Sequence, residues 1–138
     1  MRALGLDVGE RRIGVALSDA SGIVAGRLTT LERHGLRADV EALRRLIEQH
    51  AADTVVVGMP ITLRGEHGTQ AKRVSGFIEA LRRRIHVPIH TIDERLTTVQ
   101  GARALLETGE SARKRKAVVD QVAAQLILQQ FLDSQRIS

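Results

Sequence analysis

The chain contains no cysteine, which excludes disulfide frameworks, thiolate zinc centres and cysteine nucleophiles at the outset. It has no Trp or Tyr and only two Phe, Phe77 and Phe131, both placed on helical apolar stripes. Single-strand binders and most sequence-specific RNA-binding modules stack bases on exposed rings, so that design is disfavoured here. No apolar run approaches the roughly 20 residues that a helix needs to cross hydrocarbon, and Ala3-Leu4-Gly5-Leu6 is too short for the core of a signal peptide. The expectation is a soluble, cytoplasmic protein with no membrane partner. Proline is limited to Pro60 and Pro88, and no linker, repeat or low-complexity segment divides the 138 residues, so one domain over residues 1–138 is expected.

What the chain does have is positive charge. Lys and Arg number 21 against 16 Asp and Glu, a net charge of +5, and 18 of the cations are Arg. Residues 1–59 carry eight basic and eight acidic residues, whereas residues 60–120 carry twelve and seven. The whole excess therefore falls in the middle of the chain, which suggests a basic cradle for an anionic partner. A basic chain without exposed rings is suited to gripping phosphate backbones and reading shape.

The hydrophobic pattern changes period once. Leu4, Leu6 and Val8 alternate with Ala3, Gly5 and Asp7; Ile13, Val15 and Leu17 alternate with Arg12, Gly14, Ala16 and Ser18. With turn chemistry at Gly9-Glu10-Arg11 and Asp19-Ala20-Ser21-Gly22, and a third strand over about Ile23 to Leu31, the first 31 residues read as an antiparallel meander. Helical spacing follows at Val40, Leu43, Ile47 and Ala51, and again at Val74, Phe77, Ile78, Leu81 and Ile85. Between and after these lie the strands Thr54-Val55-Val56-Val57 and Pro88 to Ile92. Two closing helices are expected around Leu96 to Glu107 and Lys116 to Leu132. Strands alternating with helices imply parallel crossovers, so the fold class is α/β, with a five-stranded mixed sheet flanked by helices.

Four acidic positions invite a chemical reading. Asp7 interrupts an apolar strand, where a buried carboxylate costs several kcal/mol unless compensated; the plain alternative is an Asp capping the turn at Gly9. Asp93 and Glu94 follow the last strand, where alternation sends them to opposite faces, so at most one meets Asp7; the plain alternative is N-terminal capping of the next helix. Asp120 shares a helical face with Ala123, Ala124, Ile127 and Phe131, which turns it inward, although a first-turn Asp is also favoured by the helix dipole. Converging carboxylates need a cation, and hard divalent Mg²⁺ or Mn²⁺ match oxygen donors better than zinc in a chain without Cys. Such ions serve in-line phosphoryl displacement, the chemistry that cuts nucleic acid.

Arg113-Lys114-Arg115-Lys116 precedes the Asp120 helix, where four cations meet the positive end of the helix dipole unless an anion such as phosphate arrives. Alone, a charge run is as readily a solvated loop. Gly58 to Gly68 follows a buried strand at its carboxyl end, the position where open α/β sheets bind ligands, but it lacks a phosphate-loop or dinucleotide spacing. His67 in this loop could assist proton transfer, or simply be exposed.

Six segments together resemble the YqgF family, also called RuvX, of RNase H-like, Holliday-junction-resolvase-like proteins. They are Gly5-Leu6-Asp7-Val8-Gly9 with Arg12-Ile13-Gly14-Val15-Ala16, Val57-Gly58-Met59-Pro60, Asp93-Glu94-Arg95-Leu96-Thr97-Thr98, and Asp120-Gln121-Val122-Ala123-Ala124 with Ile127-Leu128. The resemblance implies an RNase H-like sheet and metal-dependent nuclease activity. It carries catalytic and metal-binding roles onto Asp7, Glu94 and Asp120, with Asp93 less secure. RuvC-type relatives usually have a carboxylate ending the fourth strand; here that strand ends in Gly58-Met59-Pro60, which favours a single ion completed by substrate phosphate. Two activities attach to the relatives, maturation of the 5′ end of pre-16S rRNA and cleavage of Holliday junctions.

The leading expectation is therefore a Mg²⁺- or Mn²⁺-dependent nuclease acting on structured RNA or branched DNA, most of all in pre-16S rRNA processing, with junction resolution as the alternative. Arg95, Arg113, Lys114, Arg115 and Lys116 would hold phosphates, in a monomer or a homodimer. A nonenzymatic nucleic-acid-binding accessory predicts salt-sensitive binding without turnover. Phosphoryl transfer from ATP, suggested by the Gly5 to Gly9 hairpin, is opposed by a chain long enough for one lobe only.

Overall fold

A computed structural model describes residues 1–60, 68–94 and 112–137, with side chains described from 116 to 136 in the last helix. The elements are β1 (Ala3–Val8), β2 (Arg12–Ser18), β3 (Ala25–Glu32), α1 (Leu36–Gln49), β4 (Thr54–Met59), α2 (Thr69–Arg82), β5 (Ile89–Asp93) and α3 (Ala112–Ile137). The strands form one mixed sheet in the order β3-β2-β1-β4-β5, with β1, β2 and β3 antiparallel and β4 and β5 parallel to β1. The expected α/β class and sheet are thus realised.

Both faces of the sheet are covered, and alternation assigns each residue to one of them. Leu4, Leu6, Val8, Ile13, Val15, Val55 and Val57 face α1 and α2, meeting Val40, Leu43, Phe77 and Leu81. The opposite face carries smaller side chains, Ala3, Ala16, Ala25 and Val56, against Ala123, Ala124, Ile127 and Leu128 of α3. Continuous burial of β1 and β4 follows from this double cover, and both Phe residues are core.

The small-residue face lets α3 lie unusually close. A Cβ on Gly5 would stand 2.7 Å from Cβ of Leu128, and one on Gly14 would stand 1.9 Å from the carbonyl oxygen of Asp120. Three glutamines at four-residue spacing then fix the helix along the edge strand. Gln121 Nε2 donates to Thr30 Oγ1 at 3.1 Å, Gln125 Nε2 to the Ala25 carbonyl at 2.9 Å, and Gln129 Oε1 accepts from the Ala25 N–H at 2.9 Å. Thr30 Oγ1 also donates to the Ala117 carbonyl at 2.6 Å. Helix position is set by backbone contact on one side and by polar stitching on the other.

Several boundaries differ from those the sequence suggests. The third strand begins at Ala25 rather than Ile23, because the N–H groups of Ile23 and Val24 donate to the Asp19 carboxylate at 2.8 and 3.1 Å instead of joining the ladder. Ala51, expected on the α1 stripe, lies beyond the helix with a left-handed φ of 51° and is exposed. Ile85 likewise lies past α2, yet packs against the core. The last helix starts at Ala112, four residues before the expected Lys116, since Arg and Lys are good helix formers. The expected helix at 96–107 lies outside the described residues.

Candidate active site

Asp7 stands inside β1, between Leu6 and Val8, and is buried. Its register partner on β2 is Gly14, which places its side chain on the α3 face with Gly5 and Ala3. Gly58 and Ile92 are partners on β4 and β5, and Met59 pairs with Asp93. Alternation from these pairs puts Glu94 on the α3 face with Asp7 and turns Asp93 to the other face. Glu94 is 3% exposed, whereas Asp93 is only partly buried.

Asp120 approaches from above, on the same side of α3 as the buried Ala123, Ala124, Ile127 and Phe131. Its backbone rests on Gly14, beside Asp7's position in the register. Asp7, Glu94 and Asp120 accordingly line one cavity of about 280 Å³, completed by Val8, Gly9, Gly58, Pro60 and Gln70. This cavity sits at the carboxyl ends of β1 and β4, where α/β sheets bind ligands. Gly58 lets the wall of this cavity pack onto β4: a Cβ there would lie 2.9 Å from Glu94 Oε1 and 2.4 Å from Ile127 Cδ1.

Buried carboxylates around one cavity are hard oxygen donors, and their chemistry suits a small divalent cation. Among the described residues, however, no three carboxylate or imidazole groups stand close enough to hold an ion as they are. The reason visible at Asp120 is a competing cation: Arg12 Nε donates to Asp120 Oδ2 at 2.7 Å. Arg12 is a site residue that sequence reasoning passed over. Its signal was its parity with Gly14 and Ala16 on β2, which sends it to the α3 face.

The turn between β1 and β2 that forms one wall of the cavity is held from behind. Arg33 Nη1 donates to the Gly9 carbonyl at 3.1 Å, while its Nε bonds the buried Asp39 carboxylate at 3.0 Å and its guanidinium lies 5.3 Å from the Phe77 ring centre. Asp39 also accepts the His34 N–H at 2.9 Å. Neither Arg33 nor Asp39 carried a sequence signal, since Arg33 meets Gly9 at a backbone atom and Asp39 acts through Arg33.

The expected phosphate-binding cations are distributed differently from the expectation. Arg113, Lys114 and Arg115 fall in the first turn of α3 rather than in a preceding loop, and Lys116 is exposed one residue later. Arg95 and His67 lie outside the described residues. Arg82, part of the basic excess, ends α2 on the other side of the sheet with Arg83 and Arg84 just beyond it, and Arg84 Nε bonds Glu41 there at 2.7 Å. The cradle drawn from charge counting is therefore only partly beside the acids. A larger groove of about 720 Å³ between α1 and α2 lies on that far side, but its carboxylate, Glu41, is occupied by Arg84 and Arg44. Chemistry, not size, selects the smaller cavity. Those arginines hold the Glu41 carboxyl below its ordinary range, Arg44 most strongly.

A mixed sheet of this order, with helices on both faces and a long helix across one of them, is an RNase H-like α/β fold. T. thermophilus RuvC in complex with a Holliday junction matches with a TM-score of 0.63 at 13% identity, over 100% of this chain and 97% of that one. The fowlpox virus Holliday junction resolvase matches at 0.56 and 12% identity, over 97% and 99%. At these identities the likeness is one of fold. The chain itself belongs to the RuvX family, whose sequence model, described as Holliday junction resolvase, matches residues 1–134. A Clostridium acetobutylicum protein is 48% identical over 134 residues, 97% of this chain and 99% of its own length. One from Gloeobacter violaceus is 50% identical over 133 residues, 96% of this chain and 84% of its own. Both carry the name "Putative pre-16S rRNA nuclease".

Proposed function

We propose that this protein is a divalent-metal-dependent nuclease, one domain over residues 1–138, that hydrolyses phosphodiester bonds in structured nucleic acid and matures the 5′ end of pre-16S rRNA. The observation that carries this reading is the convergence of Asp7, Glu94 and Asp120 on one cavity. The names of the relatives supply the substrate. Mg²⁺ or Mn²⁺ bound there would neutralise charge on the scissile phosphate and acidify an attacking water.

Asp7 and Glu94 would present carboxylate oxygens from the sheet and Asp120 from the helix. Gly58, without a side chain, gives Glu94 room to reach over β4. Lys116, with Arg113, Lys114, Arg115 and Arg95, would bind phosphates flanking the cleavage point. We place the protein in the cytoplasm, as a monomer or a homodimer.

The test is cleavage of a 5′-extended 16S rRNA fragment with Mn²⁺ by wild type and Asp7→Asn, beside a four-way junction and plain duplexes. The RNA fragment should be cut, the activity should vanish with a chelator, and Asp7→Asn should be inactive yet folded. Undiminished cleavage by Asp7→Asn refutes the assignment. A second reading, junction resolution, is favoured by the family's description. It predicts preference for the four-way junction and a two-fold dimer, because symmetric cuts need two sites.

A further inference from the structure

Asp120 reaches the cavity by its position but spends its carboxylate elsewhere. Its backbone is fixed by contact with Gly14, and Gly14 is the register partner of Asp7. The side chain thus has two directions available from one backbone position. One leads toward Asp7, which stands opposite Gly14 on the neighbouring strand. The other leads to Arg12, two residues before Gly14 on the same face of β2, and this is the one taken, at 2.7 Å.

We infer that Arg12 and a divalent cation compete for Asp120. In the metal-free protein the guanidinium serves as counter-ion to the third carboxylate, and on metal binding Asp120 leaves it to join Asp7 and Glu94. The inference rests on the nuclease reading above. The physics favours exchange in this direction. The side chains of Arg12 and Asp120 are 29% and 19% exposed, so the pair is partly solvated, and it rests on one monovalent contact. A dication among three hard oxygen donors gains more from the same carboxylate. The pair lowers metal affinity by the fraction of molecules in which Asp120 is engaged, and it relieves carboxylate repulsion while the metal is absent.

Calorimetric titration of Mn²⁺ into wild type, Arg12→Gln, Arg11→Gln and Asp7→Asn tests this, with circular dichroism melts to establish that each variant is folded. Arg12→Gln should bind Mn²⁺ about five-fold more tightly than wild type. Arg11→Gln removes the same charge from an exposed neighbour and should change affinity less than about two-fold. In Arg12→Gln combined with Asp120→Asn the gain should disappear. Binding by Arg12→Gln that is equal to or weaker than that of Arg11→Gln overturns the competition. If Asp7→Asn still abolishes binding, the metal site itself survives that outcome. Absence of Mn²⁺ binding in both wild type and Arg12→Gln overturns the nuclease reading along with it. A measurement on the unaltered protein runs in parallel: the Arg12 Nε–H resonance should shift on adding diamagnetic Mg²⁺, and a resonance unmoved at saturating Mg²⁺ contradicts the exchange.

Discussion

Replacing Gly14 by alanine tests how the third carboxylate is delivered to the cavity. The new Cβ would fall 1.9 Å from the Asp120 carbonyl oxygen, 2.3 Å from its carbonyl carbon and 3.0 Å from its Cα. These are backbone atoms in the interior of a helix, and no rotamer change clears them. To restore ordinary contact near 3.4 Å the helix must lift by about 1.5 Å. A shift of that size would stretch the Thr30–Ala117 and Arg12–Asp120 bonds, now 2.6 and 2.7 Å, past hydrogen-bonding range. Overpacking costs ~1–3 kcal/mol and each lost bond ~1 kcal/mol, so Gly14→Ala should be destabilised by ~3–5 kcal/mol.

The matched control is Gly76→Ala, inside α2, exposed, with nothing within 4 Å of the added Cβ. There the same substitution should stabilise by ~0.5–1 kcal/mol through helix propensity. Urea unfolding followed by far-ultraviolet circular dichroism measures both, since the chain has no Trp or Tyr for fluorescence. A Gly14→Ala midpoint at or above that of wild type refutes the close approach of α3, and with it the route that brings Asp120 to Asp7.

Other expectations follow from the same geometry. Arg33→Ala removes the cation from the buried Asp39 and one donor from the Gly9 carbonyl; it should cost ~3 kcal/mol in urea unfolding and lower nuclease activity by loosening the cavity wall, whereas an unchanged midpoint contradicts this role. Asp19 has its carboxyl lowered from 3.8 to about 2, first by the Ser21 hydroxyl and then by the N–H groups of Ile23 and Val24. Its stabilisation is present above the unfolded pKa and lost as pH falls through the folded one. The Tm advantage of wild type over Asp19→Asn should therefore shrink between about pH 4 and pH 2, and an advantage that grows there contradicts the shift.

How much of this is legible in sequence depends on the range of the interactions. Alternation in β1 and β2 and the helical stripes of α1, α2 and α3 are local, and they yield the mixed sheet and both cores. The inward face of Asp120 and the opposed faces of Asp93 and Glu94 also follow from period alone. The Ile23-Val24 segment looks like strand because its apolar content is local, while the Asp19 carboxylate that captures its N–H groups acts through backbone atoms. Arg12 and Asp120 are 108 residues apart, and nothing near either in sequence announces the pair. The glycines at 5, 14 and 58 are visible as letters, but only the packed helix shows that they form the bed on which α3 lies. Net charge misleads for a related reason: counting along the chain cannot distinguish the cations of α3 from those ending α2 across the sheet.

Phosphodiester hydrolysis at the acidic cavity on the α3 face is tested most sharply by two adjacent residues. Glu94 lines that cavity, and Asp93, its neighbour in sequence, points to the other face. Initial rates of Mn²⁺-dependent cleavage of the 5′-extended 16S rRNA fragment should fall by at least about 100-fold in Glu94→Gln, and stay within about three-fold of wild type in Asp93→Asn. Equal losses in the two variants, or a larger loss in Asp93→Asn, would contradict the account.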